Sequence, residues 1–140
     1  MYVVTRSITL KCGEKVNVKV IVKEEDRKVI AIADNKSCGQ NYLTGIATRV
    51  ISKHFYANGI AYIGFISNSK FTKDLELNDY YRTIATCVPE DTWDDRKGIE
   101  IALYKMKSKL DIVVSNRLMV FYDKMSTGSK EFANKFFGNY

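Results

Sequence analysis

The order of apolar and polar residues gives this chain an alternating N-terminal region and a helical C-terminal one. From Tyr2 to Leu10, Val4, Ile8 and Leu10 alternate with Val3, Thr5, Ser7 and Thr9. Val16, Val18, Val20 and Val22 then occupy every second position, and Val29 to Ala33 forms a third apolar segment. Period-two alternation marks strands with one buried face. The polar stretches at residues 11–14 and 24–27 supply the turns between them. An antiparallel meander is therefore predicted.

After a polar break at residues 34–39 the spacing changes. Leu43, Ile46, Ala47, Val50, Ile51 and Phe55 recur at helical intervals, with Gly59 placed to close that helix. Ile60 to Ile66 reads as a strand, residues 67–78 as a polar loop, and Tyr80 to Val88 as the last strand. Beyond Asp95, the residues Ile99, Leu103, Met106, Leu110, Val114, Leu118, Phe121 and Met125 follow at steps of three or four. That run fits one long helix, or two broken near Asp111 or Ser115–Asn116. The β-branched Ile112, Val113 and Val114 keep a strand there open. A separate short helix is expected from Lys130 to Phe137. A faint repeat, strand–loop–helix around Gly45 and again around Gly98, fits two such units on one sheet. The fold class expected is α+β: an antiparallel β-sheet, N-terminal meander first, with helices packed on one face and a helical C-terminal region. All 140 residues are expected to form a single domain.

Composition narrows the setting. The apolar runs fall well short of the ~20 residues a membrane span needs. The N-terminus opens on a strand pattern instead of a basic-then-apolar leader, so a cytoplasmic location away from membranes is expected. Three cysteines at wide separations and the single His54 suit neither a structural zinc site nor a disulfide framework. No cofactor is expected. The net charge of +6 favours an anionic partner. The basic residues are spread along the chain without a polybasic tract, which makes nucleic acid a secondary expectation.

Candidate chemistry concentrates between Arg82 and Lys109. Trp93, the only tryptophan, lies between Asp91 and Asp94 where the last strand gives way to a helix. Such a junction holds exposed side chains on two rigid elements. Asp94 and Asp95 sit where carboxylates cap free amides, and two acids at that terminus oppose a phosphate. Acids beside an aromatic suit ribose hydroxyls and base amines, and Trp93 offers either packing at the helix entry or a stacking face for a purine. Arg27, Arg82 and Arg117 are candidates for phosphate contacts because a guanidinium binds them bidentately. Solvated surface charge is the plainer reading for each. Catalytic material is sparse. His54 has no paired Ser or Cys in a familiar local motif, and Thr127, Gly128, Ser129 and Lys130 lack the preceding strand and glycines of a phosphate loop. Binding without catalysis is the expectation.

The run from Cys87 through Pro89, Asp91, Trp93 and Asp94 to Gly98 and Ala102, with a meander before it and helices after, resembles the Thoeris anti-defence sponges of phages. That resemblance implies a protein that binds a cyclic ADP-ribose-type signal, in some members also cyclic oligonucleotides, and withholds it uncleaved. It further implies homo-oligomers with ligand sites between subunits. Carried onto this chain, it assigns stacking to Trp93 and hydroxyl contacts to Asp91 and Asp95, with Arg27 and Arg117 near the phosphates. Two other functions remain in view. One is a nucleic-acid module similar in outline to double-stranded-RNA-binding domains. The other is an inhibitor that meets a host protein through Tyr80, Tyr81, Phe121 and Tyr122.

Overall fold

The computed structural model describes residues 1–35, 43, 45, 46, 49 and 77–137, with side chains as far as Met119. The chain forms two compact units, Met1–Leu43 with Leu77–Ile112, and Thr44–Glu76 with Val113–Tyr140.

The first unit is a four-stranded antiparallel sheet with a helix on one face. Its strands are β1 (Tyr2–Thr9), β2 (Lys15–Lys23), β3 (Lys28–Asp34) and β4 (Tyr80–Thr86), in the spatial order β1-β2-β3-β4. Pairing is regular: Val4 faces Val20, Val20 faces Ala31, and Ala31 faces Thr83. Directly opposed residues point the same way, so one face gathers Ile8, Val16, Val18, Val20, Val22, Val29, Ala31, Ala33, Tyr81 and Ala85, all buried. The helix α1 runs Asp95–Phe137, and its portion in the first unit, as far as Ile112, lies on this inner face. Ile99, Ala102, Met106 and Leu110, at steps of three and four, are its buried positions. The Thr83 hydroxyl donates to the Ala102 carbonyl at 2.9 Å. The Asp111 carboxylate accepts the Lys11 amide at 2.9 Å and so holds the β1–β2 turn against the helix.

Close approach of α1 to the sheet depends on Gly98. A Cβ there would stand 2.6 Å from Val29 Cγ2, closer than any side chain tolerates. Asn35, a buried polar residue, closes the ends of the excursion between β3 and β4. Its amide donates to the Asp79 carbonyl at 2.8 Å and its side chain to Leu77 at 3.2 Å. Burial of an amide side chain is tolerable because those bonds are made.

The outer face is mixed. Val3, Ile21, Ile30 and Ile84 face one another across all four strands, and Lys19, Lys23, Lys28 and Arg82 flank that row.

The α+β class and the meander stand as the alternation implied. α1 is a single helix of 43 residues. Residues 112–114 are helical, and neither a break near Asp111 or Ser115–Asn116 nor a separate helix at Lys130–Phe137 is present. No proline lies beyond Pro89 and no glycine between Gly98 and Gly128, so nothing in that stretch forces an interruption. β-branched residues weaken a helix by only tenths of a kcal/mol, about 0.7 at most. In the second unit Gly45, Ile46 and Arg49 are helical, as is Leu43 in the first. The rest of the helix expected at residues 41–56, His54 and the strand expected at Ile60–Ile66 lie outside the described residues.

Candidate functional site

Three local features build the junction between β4 and α1. Pro89 takes the second position of a turn closed by the Asp91 amide on the Val88 carbonyl at 3.1 Å, where its fixed φ is favourable. Asp94 is the helix N-cap: its carbonyl accepts the Gly98 amide at 3.0 Å and its carboxylate the Lys97 amide at 3.3 Å. Between them Trp93 occupies the position before the cap, from which a hydrophobic staple would reach the fourth helical residue. That residue is Gly98, which has no side chain to meet the indole.

A recess of about 90 Å³ opens at this point, lined by Trp93, Gly98, Val29, Ala85, Cys87 and Ile101, with Asp91, Thr92, Asp94 and Lys97 on its polar side. Trp93 is half-buried, so its ring is neither entombed in the core nor lying free on the surface. Asp91, Asp94 and Lys97 are exposed at the rim.

Arg27 fixes the loop from behind. It ends the β2–β3 turn in the left-handed region, φ 52°, with its amide on the Glu24 carbonyl at 2.9 Å. From there its Nε donates to the Cys87 carbonyl at 3.3 Å, and Nη2 donates to the Val88 carbonyl at 2.9 Å and to that of Asp91. Nη2 also lies 3.0 Å from Cys87 Sγ. A planar fork with several donors can satisfy adjacent carbonyls that a lysine cannot. Arg27 thus acts on the loop's backbone, and the loop presents Asp91 and Trp93.

The structure therefore brings together Trp93 and Asp91, with Arg27 supporting them, and places Asp95 and Arg82 elsewhere in the same unit. Asp95 turns away from the recess: its Oδ2 accepts the Tyr2 hydroxyl at 2.6 Å and its Oδ1 the Arg96 amide at 3.1 Å. The Tyr2 bond is the main cause holding the Asp95 carboxyl below its ordinary 3.8, and the same bond raises the Tyr2 phenol above 10.0. Arg82 projects from the outer face of β4 and borders a separate open depression with Leu77, Asn78, Asp79, Tyr80 and Lys109. Arg117 lies in the second unit, half-buried, with a buried Nε that has no hydrogen-bond partner. Of the aromatic surface considered for a host protein, Tyr80 is exposed but Tyr81 is buried between sheet and helix. The side chains of Phe121 and Tyr122 lie outside the described residues.

Sequence reasoning passed over Lys97 and Ile101 as site residues. Their signal was present: positions 94, 97, 98 and 101 share one helix face at i, i+3, i+4 and i+7. Among the described residues no three His, Cys, Asp or Glu side chains converge to hold a metal ion, and no helix is long and apolar enough to cross a membrane. Chemically the corner offers an aromatic face, two carboxylates, one ammonium and a thiol, held by backbone contacts on both sides. No protein-family model, curated protein or solved structure matches the chain.

Proposed function

We propose that the Trp93 corner is a ligand site and that the protein binds and withholds a nucleotide-type molecule of the cyclic ADP-ribose class without cleaving it. The observation that carries this reading is a half-buried tryptophan lining a recess whose other lining residues include the carboxylates of Asp91 and Asp94 and the ammonium of Lys97. An indole so placed stacks on a purine with an energy on the order of 1–3 kcal/mol. Asp91 and Asp94 suit ribose hydroxyls, and Lys97 suits one phosphate oxygen.

Size limits how the ligand sits. A recess of 90 Å³ holds roughly three waters and is well below the ~300 Å³ of an enclosing pocket. It takes one fragment of such a molecule, and the remainder lies outside the recess. A homo-oligomer would supply further walls, which makes self-association part of the same proposal. Arg82 and Asp95 have no place in this site, and Arg27 serves it by shaping the loop.

The test is retention. Purified protein is incubated with cyclic ADP-ribose isomers, desalted and then denatured by heat. Intact ligand in the heat supernatant supports the proposal, and a Trp93→Ala variant should retain about 5- to 100-fold less. Absence of retention for every isomer, or recovery of cleaved ligand, overturns it.

The outer face favours a second reading. Among the described residues Lys19, Lys23, Lys28 and Arg82 share that face without a carboxylate partner, which suits a nucleic-acid backbone. The row of Val3 and three isoleucines through its middle suits it less. Affinity for RNA that falls steeply between two salt concentrations would support this reading over the first.

A further inference from the structure

The two edges of the sheet are finished differently. On β4, Lys105 Nζ donates to the Ile84 carbonyl at 2.9 Å and Lys109 Nζ to the Arg82 carbonyl at 3.2 Å. Those carbonyls point away from β3, and lysines from α1 close that edge, a common protection against pairing with another strand. Among the described residues no other element covers the β1 edge in this way. Six of its eight residues are exposed, Tyr2 at 43% and Val3 at 49%. It contains no proline, glycine or bulge, and it pairs with β2 without interruption from Tyr2 to Thr9. Its one charge is Arg6, whose Nη1 donates to the outward Thr5 carbonyl at 3.2 Å, an exposed bond between chain neighbours that a pairing strand would replace.

The direction of the β4 carbonyls fixes which groups are open on β1. Backbone groups alternate sides along a strand. With Arg82 and Ile84 directed outward, Ala31 and Val29 bond to β4, Ile30 and Ile32 to β2, and Val18 and Val20 to β1. Val4 and Arg6 therefore bond to β2, and Val3, Thr5, Ser7 and Thr9 direct their N–H and C=O groups to the open edge.

We propose that β1 pairs antiparallel with β1 of a second copy of this chain, with Thr5 on the two-fold axis, to form a continuous eight-stranded sheet. A two-fold ladder on this edge must set outward groups against outward groups. Centring it on Arg6 would place two guanidinium groups directly opposite, which is destabilising. Centring on Thr5 instead sets Val3 against Ser7 of the second copy, Val4 against Arg6, and Tyr2 against Ile8. Other centres shorten the overlap. The chosen register makes about six main-chain hydrogen bonds and opposes no like charges. The outward-directed residues are all uncharged, so the edge is self-complementary and nothing in it selects a charged partner. This inference does not rest on the ligand proposed above.

Cross-linking in the full-length chain, with Cys12 replaced by Ser, tests the register. Paired Thr5 residues would stand about 5.5 Å apart at Cα, within disulfide range. Two Ser7 residues would be about 13 Å apart along the strands. Thr5→Cys should form a covalent dimer under mild oxidation at least tenfold faster than Ser7→Cys. Sedimentation equilibrium should show a dimer for the unmodified chain. Thr5→Lys, which keeps an exposed position exposed, should raise the dimer dissociation constant at least tenfold with an unchanged circular dichroism spectrum. A monomer at every concentration overturns the proposal. So does equal cross-linking of the two cysteine variants, or a dimer indifferent to Thr5→Lys.

Discussion

Arg27→Lys keeps the positive charge behind the Trp93 loop but removes the fork that holds it. The guanidinium donates to three carbonyls, those of Cys87, Val88 and Asp91. A net hydrogen bond contributes about 1 kcal/mol, and the half-exposed setting argues against the larger values seen for buried charged donors. A lysine ammonium from the same backbone position satisfies one of the three, so Arg27→Lys should cost about 2 kcal/mol. Arg27→Ala loses all three and should cost about 3 kcal/mol. Arg27→Gly should be about 1 kcal/mol more stable than the alanine variant, because glycine occupies the left-handed conformation at φ 52° without its steric penalty. Urea unfolding followed by circular dichroism gives the order. Amide exchange at Asp91, whose N–H closes the Pro89 turn, shows whether the loss is local. Lysine and alanine variants within about 0.5 kcal/mol of the parent, a margin typical of neutral surface changes, with unaltered exchange at Asp91, would refute the clamp.

Gly98→Ala should destabilise by about 1–3 kcal/mol despite alanine's better helix propensity, because its Cβ meets Val29. Adding Val29→Ala should make the glycine substitution markedly less costly, and additive losses in a double-mutant cycle would refute the contact. The Tyr2–Asp95 bond should stabilise the protein at pH values above 3.8 and below 10.0. That contribution fades as pH falls through the lowered Asp95 value and as it rises through the raised Tyr2 value. Tyr2→Phe should move the Asp95 midpoint in carbon-13 NMR upward toward 3.8, and an unmoved midpoint would refute the coupling. Asn35→Leu removes the side-chain hydrogen bond to the Leu77 carbonyl and should cost about 0.5–1.5 kcal/mol in urea unfolding; a neutral effect would remove its closing role. Lys105→Ala with Lys109→Ala should leave stability within about 1 kcal/mol while raising aggregation seen by light scattering, because it opens the β4 edge.

The sheet was legible because its alternation is nearly unbroken: each of Val16, Val18, Val20 and Val22 is buried, and a one-residue slip would expose all four. The course of α1 was harder to read. The spacing of apolar residues put Leu103 in the buried stripe, yet Leu103 is half-buried and Ala102 is the fully buried one, because close packing selects the smaller residue beside Thr83. The corner at Trp93 was visible as a constellation of types within a few residues. Its mounting was not. Arg27 reaches the loop through β-pairing that joins positions 60 residues apart, and no local pattern encodes that contact. Asp95 looked equivalent to Asp94 in sequence, but one step around a helix turns a side chain by about 100°, which sets Asp95 on Tyr2 and leaves Asp94 on the recess.

The central claim is that Trp93 contacts a ligand, and its own fluorescence tests this most directly, since the chain has no other tryptophan. Titration with cyclic ADP-ribose isomers should quench or shift the emission saturably, with an effect reduced at least tenfold in affinity when Asp91 and Lys97 are both replaced by Ala. Emission that stays constant across all isomers, in a protein whose circular dichroism is native, would contradict the account.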